Sequence, residues 1–299
     1  MERLVEIVTS EVYKRLQSVS SPSGACSPEG CELVDCKAKT GRCDECVGCV
    51  TKKPQTVQTM LNEGAVRFSS TQGQSPVDTR LAGMIDHTLL RPDATHDQIR
   101  KLCEEAAQYK FATVCVNSSN VGLAAKLLAG TGVKAIAVVG FPLGAGTPRA
   151  KAFETLEAIR EGSGEIDMVI NIGAMKSKDY KLVFEDIKAV VEAAGSIPVK
   201  VILETSNLNT DEKIIGSALS KAAGAAFVKT STGFGGGGAT VEDVQLMRRI
   251  VGADVGVKAS GGVRTYEDAK KMIEAGANRI GASASVEIVT HQKSQDKGY

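Results

Sequence analysis

Ala226-Phe227-Val228-Lys229-Thr230-Ser231-Thr232-Gly233-Phe234, running into Gly235, Gly236, Gly237 and Gly238, is an apolar, strand-like stretch that ends on a lysine and passes at once into hydroxyls and glycines. It sets one amine at the mouth of a site made largely of backbone, which is how a Schiff-base lysine is presented. Read alone, it also fits a buried strand whose lysine stem lies along apolar surface with its head in water. A second stretch narrows the reading. Val255-Gly256-Val257-Lys258-Ala259-Ser260-Gly261-Gly262 has the same form and follows as the next strand candidate.

Outward from these two, the chain from about Val77 alternates short apolar runs with helical patterns. The strands expected are Met84–Asp86, Ala112–Val116, Lys134–Val139, Asp167–Ile172, Val199–Leu203, Ala225–Lys229, Val255–Lys258 and Arg279–Gly281. Helix-like segments lie near 97–109, 119–129, 148–162, 178–195, 210–223, 240–250 and 265–276. Strands alternating with helices over this length predict an α/β fold of the (β/α)8 TIM-barrel class. A doubly wound sheet needs a glycine fingerprint at its first turn, and Ile85-Asp86-His87-Thr88-Leu89-Leu90 has no glycine.

In a barrel, chemistry sits at the C-terminal ends of the strands. Those ends carry Asp86, Cys115, Asp167, Glu204, Lys229, Lys258 and Ser283. Each has a structural alternative. Asp86 fits a helix cap, Cys115 an inert core thiol, and Glu204 a partner for a lysine at the barrel centre. The two lysines discriminate, because on adjacent strands they aim two amines at one space. Two ammonium groups held close disfavour each other's charged form and leave one neutral, nucleophilic amine. Asp167 stands in an apolar run where an unpaired carboxylate is costly; pairing with Lys258 removes that cost and creates a proton relay.

Gly235 to Gly238, then Gly261 and Gly262 with Arg264, then Gly281, Ala282 and Ser283, put backbone N–H groups on neighbouring loops. Barrels bind phosphate on the loops after strands seven and eight, so a phosphorylated substrate is expected.

The whole-chain composition sets limits. A formal charge of +1 gives no overall pull toward nucleic acid or an anionic membrane, and no apolar run approaches a bilayer span. The N-terminus lacks the order of a secretory signal, so a cytoplasmic protein is expected. Tryptophan is absent and aromatics make up 4%, so the core must be built from Val, Ile, Leu and Ala.

The first 76 residues have a different texture. Residues 1–20 read as an amphipathic helix with Leu4, Val8, Val12 and Leu16 at four-residue spacing, broadened by Val5 and Ile7. The stripe either docks on its own barrel or recruits the protein to a partner, and it resembles the terminal helices that carry enzymes into bacterial microcompartments. Residues 21–76 form a Cys-rich segment and linker. Cys26, Cys31, Cys36, Cys43, Cys46 and Cys49 crowd together, the last three as C-x2-C-x2-C. That spacing suits zinc or an iron–sulfur cluster, with a thiol-rich linker as the alternative. Residues 77–299 are the barrel.

The barrel segments closely resemble the deoxyribose-phosphate aldolase family. The resemblance rests on Ile85 to Thr95, Thr113 to Asn117, Val138 to Gly144, Glu165 to Ala174, Val228 to Phe234, Val257 to Arg264 and Arg279 to Ser283, and covers about residues 80–290. It implies a class I aldolase with Lys229 as Schiff-base nucleophile, Lys258 as its activating neighbour and Asp167 as relay carboxylate. Asp86 would meet substrate hydroxyls, with Cys115, Thr230, Gly235, Gly236, Gly261, Gly262, Gly281 and Ser283 on the substrate side. The implied reaction is reversible cleavage of 2-deoxy-D-ribose 5-phosphate to D-glyceraldehyde 3-phosphate and acetaldehyde, with no cofactor. Alternatives left open are a related phosphosugar aldolase with another aldehyde donor, and a non-catalytic scaffold of a shell. A homo-oligomer is compatible with either. Two residues draw attention: Ser285 stands where the family commonly has glycine, and Tyr299 is a terminal tyrosine of the kind that reaches the site in some members.

Overall fold

The structure, a computed structural model, describes residues 78–292. The helix expected over residues 1–20, the six clustered cysteines, linker residues 51–76 and Tyr299 lie outside the described residues.

A short helix, α1 (Thr79–Ala82), leads into β1 (Ile85–Leu89), and strand and helix then alternate. They run α2 (His96–Tyr109), β2 (Thr113–Val116), α3 (Val121–Leu128), β3 (Lys134–Val139), α4 (Pro148–Arg160) and β4 (Glu165–Val169). Then come α5 (Ile172–Lys176), α6 (Tyr180–Ala194), β5 (Val199–Ile202), α7 (Thr210–Ala222) and β6 (Phe227–Lys229). The last elements are α8 (Val241–Val251), β7 (Gly256–Ser260), α9 (Tyr266–Glu274), β8 (Arg279–Ala282) and α10 (Ser285–Thr290). The strands close in sequence order into a barrel whose pairs are all parallel, β1 returning to β8. This is the expected (β/α)8 barrel, and it excludes the doubly wound sheet.

Local chemistry starts the helices where the chain must leave the sheet. Thr95 with Gln98, Asn209 with Glu212, and Thr265 with Asp268 each form a reciprocal capping box at the start of α2, α7 and α9. Thr147 caps α4, with Pro148 in the first turn where its missing N–H costs nothing. Between sheet and helices lies the main core, Val-, Ile- and Ala-rich, including Ile85, Val114, Ala137, Ile166, Val201, Val228 and Val257.

The interior of the barrel is divided. Leu90, Cys115, Ile136 and Val138, with Phe141 against them, make one apolar wall. The facing strands carry fully buried charges, Asp167, Lys200 and Lys258 among them.

Three strands differ most from expectation. β1 continues beyond Asp86 to Leu89, β7 continues beyond Lys258 to Ser260, and β4 runs from Glu165 to Val169 instead of 167–172. Apolarity alone stops a strand at its first charge, whereas here the interior charges pair with one another, so the strand continues through them. β4 ends early because Asn171 caps α5, its side chain accepting from Ala174 N–H at 3.0 Å. Asp86, Asp167 and Lys258 therefore sit inside the barrel, not at its rim.

Candidate active site

Strand register brings the charged residues together. In β6 and β7, Lys229 is the register partner of Lys258. Asp167 pairs in register with Lys200, and Asp86 with both Thr113 and Gly281. Register partners point to one face, so all of these enter the same interior space.

Asp167 is the hub. Its Oδ2 accepts from Lys229 Nζ at 2.8 Å and from Lys258 Nζ at 2.8 Å, while its Oδ1 accepts from Lys200 Nζ at 2.9 Å. Lys258 also meets Asp86 Oδ2 at 2.6 Å. Asp86 Oδ1 accepts from the Thr113 hydroxyl at 2.6 Å and Arg279 Nη1 at 2.7 Å. Lys200 reaches Glu165 Oε2 at 2.5 Å, and Arg279 approaches the same oxygen at 3.3 Å.

The electrostatics separate the two lysines. Burial lowers the proton affinity of Lys229, and the Lys258 ammonium lowers it further, against the opposing pull of Asp167. Burial acts on Lys258 in the same direction, but there Asp167 and Asp86 prevail and raise it well above the ordinary lysine value. Lys229 is thus the lysine poised to give up its proton and Lys258 the one that keeps it. Burial resists ionisation of Asp167, yet Lys200, Lys229 and Lys258 hold it well below the usual carboxylate range. Asp86 is held down likewise, burial being overridden by Lys258, Lys200 and Arg279.

Gly281 serves this geometry from inside β8, at the end of the strand expected there and one residue short of its observed end at Ala282. A Cβ there would lie 2.9 Å from Lys258 Cε. Only a residue without a side chain leaves room for the lysine stem.

The glycine loops meet at the C-terminal end. Ala239 N–H donates to Gly261 O at 2.9 Å, and a Cβ on Gly238 would stand 2.4 Å from that same oxygen. Gly236, Gly261 and Gly262 have positive φ, while Gly235 and Gly236 are exposed. Ser283 lies just after β8 and is half-buried.

Several expected residues have other attachments. Glu204 pairs with no lysine: its Oε2 accepts from Thr232 N–H at 3.1 Å and from the Thr232 hydroxyl, so it shapes the β6 loop. Gly235 makes room for that carboxylate. The Thr230 hydroxyl donates to Ser260 O at 2.9 Å and accepts from Ser260 N–H at 3.0 Å, bracing β6 on β7. Cys115 is fully buried in the apolar wall, where burial first and the Asp167 charge second push its thiol up to about 11. Ser285 donates to Ala282 O at 2.9 Å and is buried.

Lys200, Glu165 and Arg279 were missed by the sequence reading. A signal was present: Glu165 and Asp167 alternate on one face of a strand, so one of them cannot point inward alone. Among the described residues, no group of three or more His, Cys, Asp or Glu is arranged to hold a metal ion.

Comparison with known proteins gives consistent matches. The profile described as DeoC/LacD family aldolase matches residues 80–290. The deoxyribose-phosphate aldolase of Halalkalibacterium halodurans is 61% identical over 217 residues, covering 72% of this chain and 97% of that one. That of Macrococcus caseolyticus is 59% identical, covering 72% and 98%. Among solved structures, the tetrameric deoxyribose phosphate aldolase of Aeropyrum pernix superposes with a TM-score of 0.67 at 33% identity, covering 71% of this chain and 91% of that one.

Proposed function

The chain belongs to the DeoC/LacD aldolase family, and from that premise we propose that it is a deoxyribose-phosphate aldolase working through an imine on Lys229. Its reaction is reversible cleavage of 2-deoxy-D-ribose 5-phosphate to D-glyceraldehyde 3-phosphate and acetaldehyde. The observation that carries the reading is the shared oxygen: Oδ2 of Asp167 lies 2.8 Å from both Lys229 Nζ and Lys258 Nζ.

The neutral amine of Lys229 adds to the C1 aldehyde of the open-chain sugar, and loss of water gives an iminium. That cation is an electron sink for the C2–C3 bond. The 3-hydroxyl gives up its proton, C2–C3 breaks, glyceraldehyde 3-phosphate leaves, and an enamine of acetaldehyde stays on Lys229. Protonation at C2 and hydrolysis release acetaldehyde and restore the amine. Each step moves a proton at or beside Lys229. The Lys258 ammonium and Asp167 carboxylate, in contact with it, form the acid and base of that traffic. Asp86 holds Lys258 and faces the substrate hydroxyls. The apolar wall of Cys115, Ile136 and Val138 keeps the amine desolvated. Backbone N–H groups of the loops after β6, β7 and β8, with Gly261, Gly262 and Ser283, take the phosphate.

The remaining segments take separate roles. Residues 1–20 are a recruitment helix for a microcompartment shell, whose lumen would confine volatile acetaldehyde. The six cysteines form a zinc or iron–sulfur segment unconnected with turnover. Deleting residues 1–20 should leave kcat unchanged while abolishing co-purification with a shell; metal analysis of anaerobically purified protein tests the cysteines, and a metal-free, fully titratable set would refute metal binding. The barrel also self-associates, through Leu143 together with Phe153 and Leu156 on α4, large apolar side chains left 74%, 64% and 45% exposed. Phe153→Asp should lower the mass seen by light scattering at unchanged fold.

Product analysis tests the reaction itself. Deoxyribose 5-phosphate should yield acetaldehyde and glyceraldehyde 3-phosphate in equal amounts, and Lys229→Ala should yield neither. Turnover only with a different donor aldehyde would favour the related aldolase. No turnover with any phosphosugar would favour the scaffold.

A further inference from the structure

The interior charges form a closed ring. Asp86 touches Arg279 and Lys258; Asp167 touches Lys258 and Lys200; Glu165 touches Lys200 and Arg279. Each of three cations bridges two of three carboxylates, so the ring is balanced without Lys229. Lys229 is attached to it by one contact, to an oxygen already held by Lys258.

We propose that Lys200 is a positioning residue of the site: by closing the ring between Asp167 and Glu165 it leaves no carboxylate unmatched, and Lys229 stands beside a balanced ring as the free amine. This deepens the imine reading and rests on it. Lys200 is fully buried on β5 and touches the reaction only through Asp167. It occupies Oδ1, which turns Oδ2 toward the two lysines. Geometry and charge count thus agree.

The other charged groups around Lys229 do not alter the balance. Asp167 and Glu165 come from β4, Lys200 from β5, Lys258 from β7, Asp86 from β1 and Arg279 from β8, all of them ring members. Cys115 of β2 is a thiol pushed up to about 11, hence neutral. Glu204, after β5, is engaged with Thr232. Lys200 joins Lys229 and Lys258 in holding Asp167 ionised.

Opening the ring predicts opposite shifts from opposite charges. In Lys200→Met one carboxylate is unmatched, and protonating Lys229 restores balance. The acid limb of kcat/KM should then move to higher pH by about one unit or more, a tenfold or larger loss on that limb that shrinks as pH rises. Lys200→Arg keeps the charge and should keep the limb. Glu165→Gln removes an anion, leaves Lys229 less able to hold its proton, and should move the limb to lower pH.

The experiment is the pH profile of kcat/KM for the wild type and these three variants, with borohydride trapping of acetaldehyde as a parallel readout. Shifts in the stated directions support the proposal. Equal losses at every pH, with the limb unmoved in Lys200→Met and Glu165→Gln, overturn it and leave Lys200 a structural residue. If Lys200→Met does not fold, the Glu165→Gln limb decides alone: a downward move supports, an unmoved or upward one overturns. Trapping of wild-type protein on Lys229 separates the two levels, because its failure removes the imine reading and this proposal together.

Discussion

Gly281 shows how narrowly one residue can set the chemistry. Gly281→Ala puts a methyl 2.9 Å from Lys258 Cε, so the lysine must move off Asp86 or Asp167. Displacement of a catalytic group by a fraction of an ångström to one ångström costs about 10- to 100-fold, and kcat should fall by that much with KM changed less. Steady-state kinetics at saturating substrate check this. The pH behaviour of Lys229 is equally specific. Its proton affinity is lowered in the folded protein, so turnover should fall as pH drops through its shifted value, below the ordinary lysine range, and remain level above it. Lys229, Lys258 and Asp167 were legible as interior charges because each interrupts an apolar run, an arrangement that demands a reason. Lys200 was hidden between Val199 and Val201, where an outward-pointing lysine reads the same as an inward one. Arg279 and Glu165 open their strands and look like ordinary strand-start polar residues. Only the closed barrel, by fixing which face is inside, reveals their partners.

At the scale of elements, the C-terminal end of β4 is fastened by a buried pair outside the barrel. Lys151 of α4 donates to Val169 O at 2.8 Å and to Asp186 Oδ2 of α6 at 2.6 Å. Both side chains are almost wholly buried, 1% and 0% exposed, so removing one leaves the other's charge without a partner. Lys151→Met should destabilise by about 3–5 kcal/mol, and Lys151→Met with Asp186→Leu by clearly less, measured by urea unfolding. Because the same ammonium holds the C-terminal end of the strand carrying Asp167, the single variant should also lose turnover. The seven longer helices were legible from their helical patterns, whereas the short α1, α5 and α10 were not. Strand ends were not, because the apolar criterion stops at a charge while the backbone ladder runs on past it.

The molecule as a whole divides its sequence unevenly between catalysis and other work. The relatives from Halalkalibacterium halodurans and Macrococcus caseolyticus are matched over 97% and 98% of their length by about 72% of this chain. A fragment of residues 77–299 should therefore keep kcat/KM within about twofold of the full chain in a turnover assay, that range being the ordinary scatter of contributions from unconnected segments. The interior carboxylates also set the acid response of the fold. Asp86 and Asp167 titrate below their unfolded value of about 3.9, so their contribution is complete above that pH and is lost as pH falls through the folded values. Urea midpoints should be level from pH 7 to about 5 and drop steeply below about 4. Covalent catalysis by Lys229 is read out by borohydride reduction in the presence of acetaldehyde, followed by peptide mass mapping. One ethyl group is expected, on the peptide holding Lys229, with loss of activity in step. Full inactivation with the ethyl group on Lys258, or normal turnover after Lys229→Ala, would contradict it.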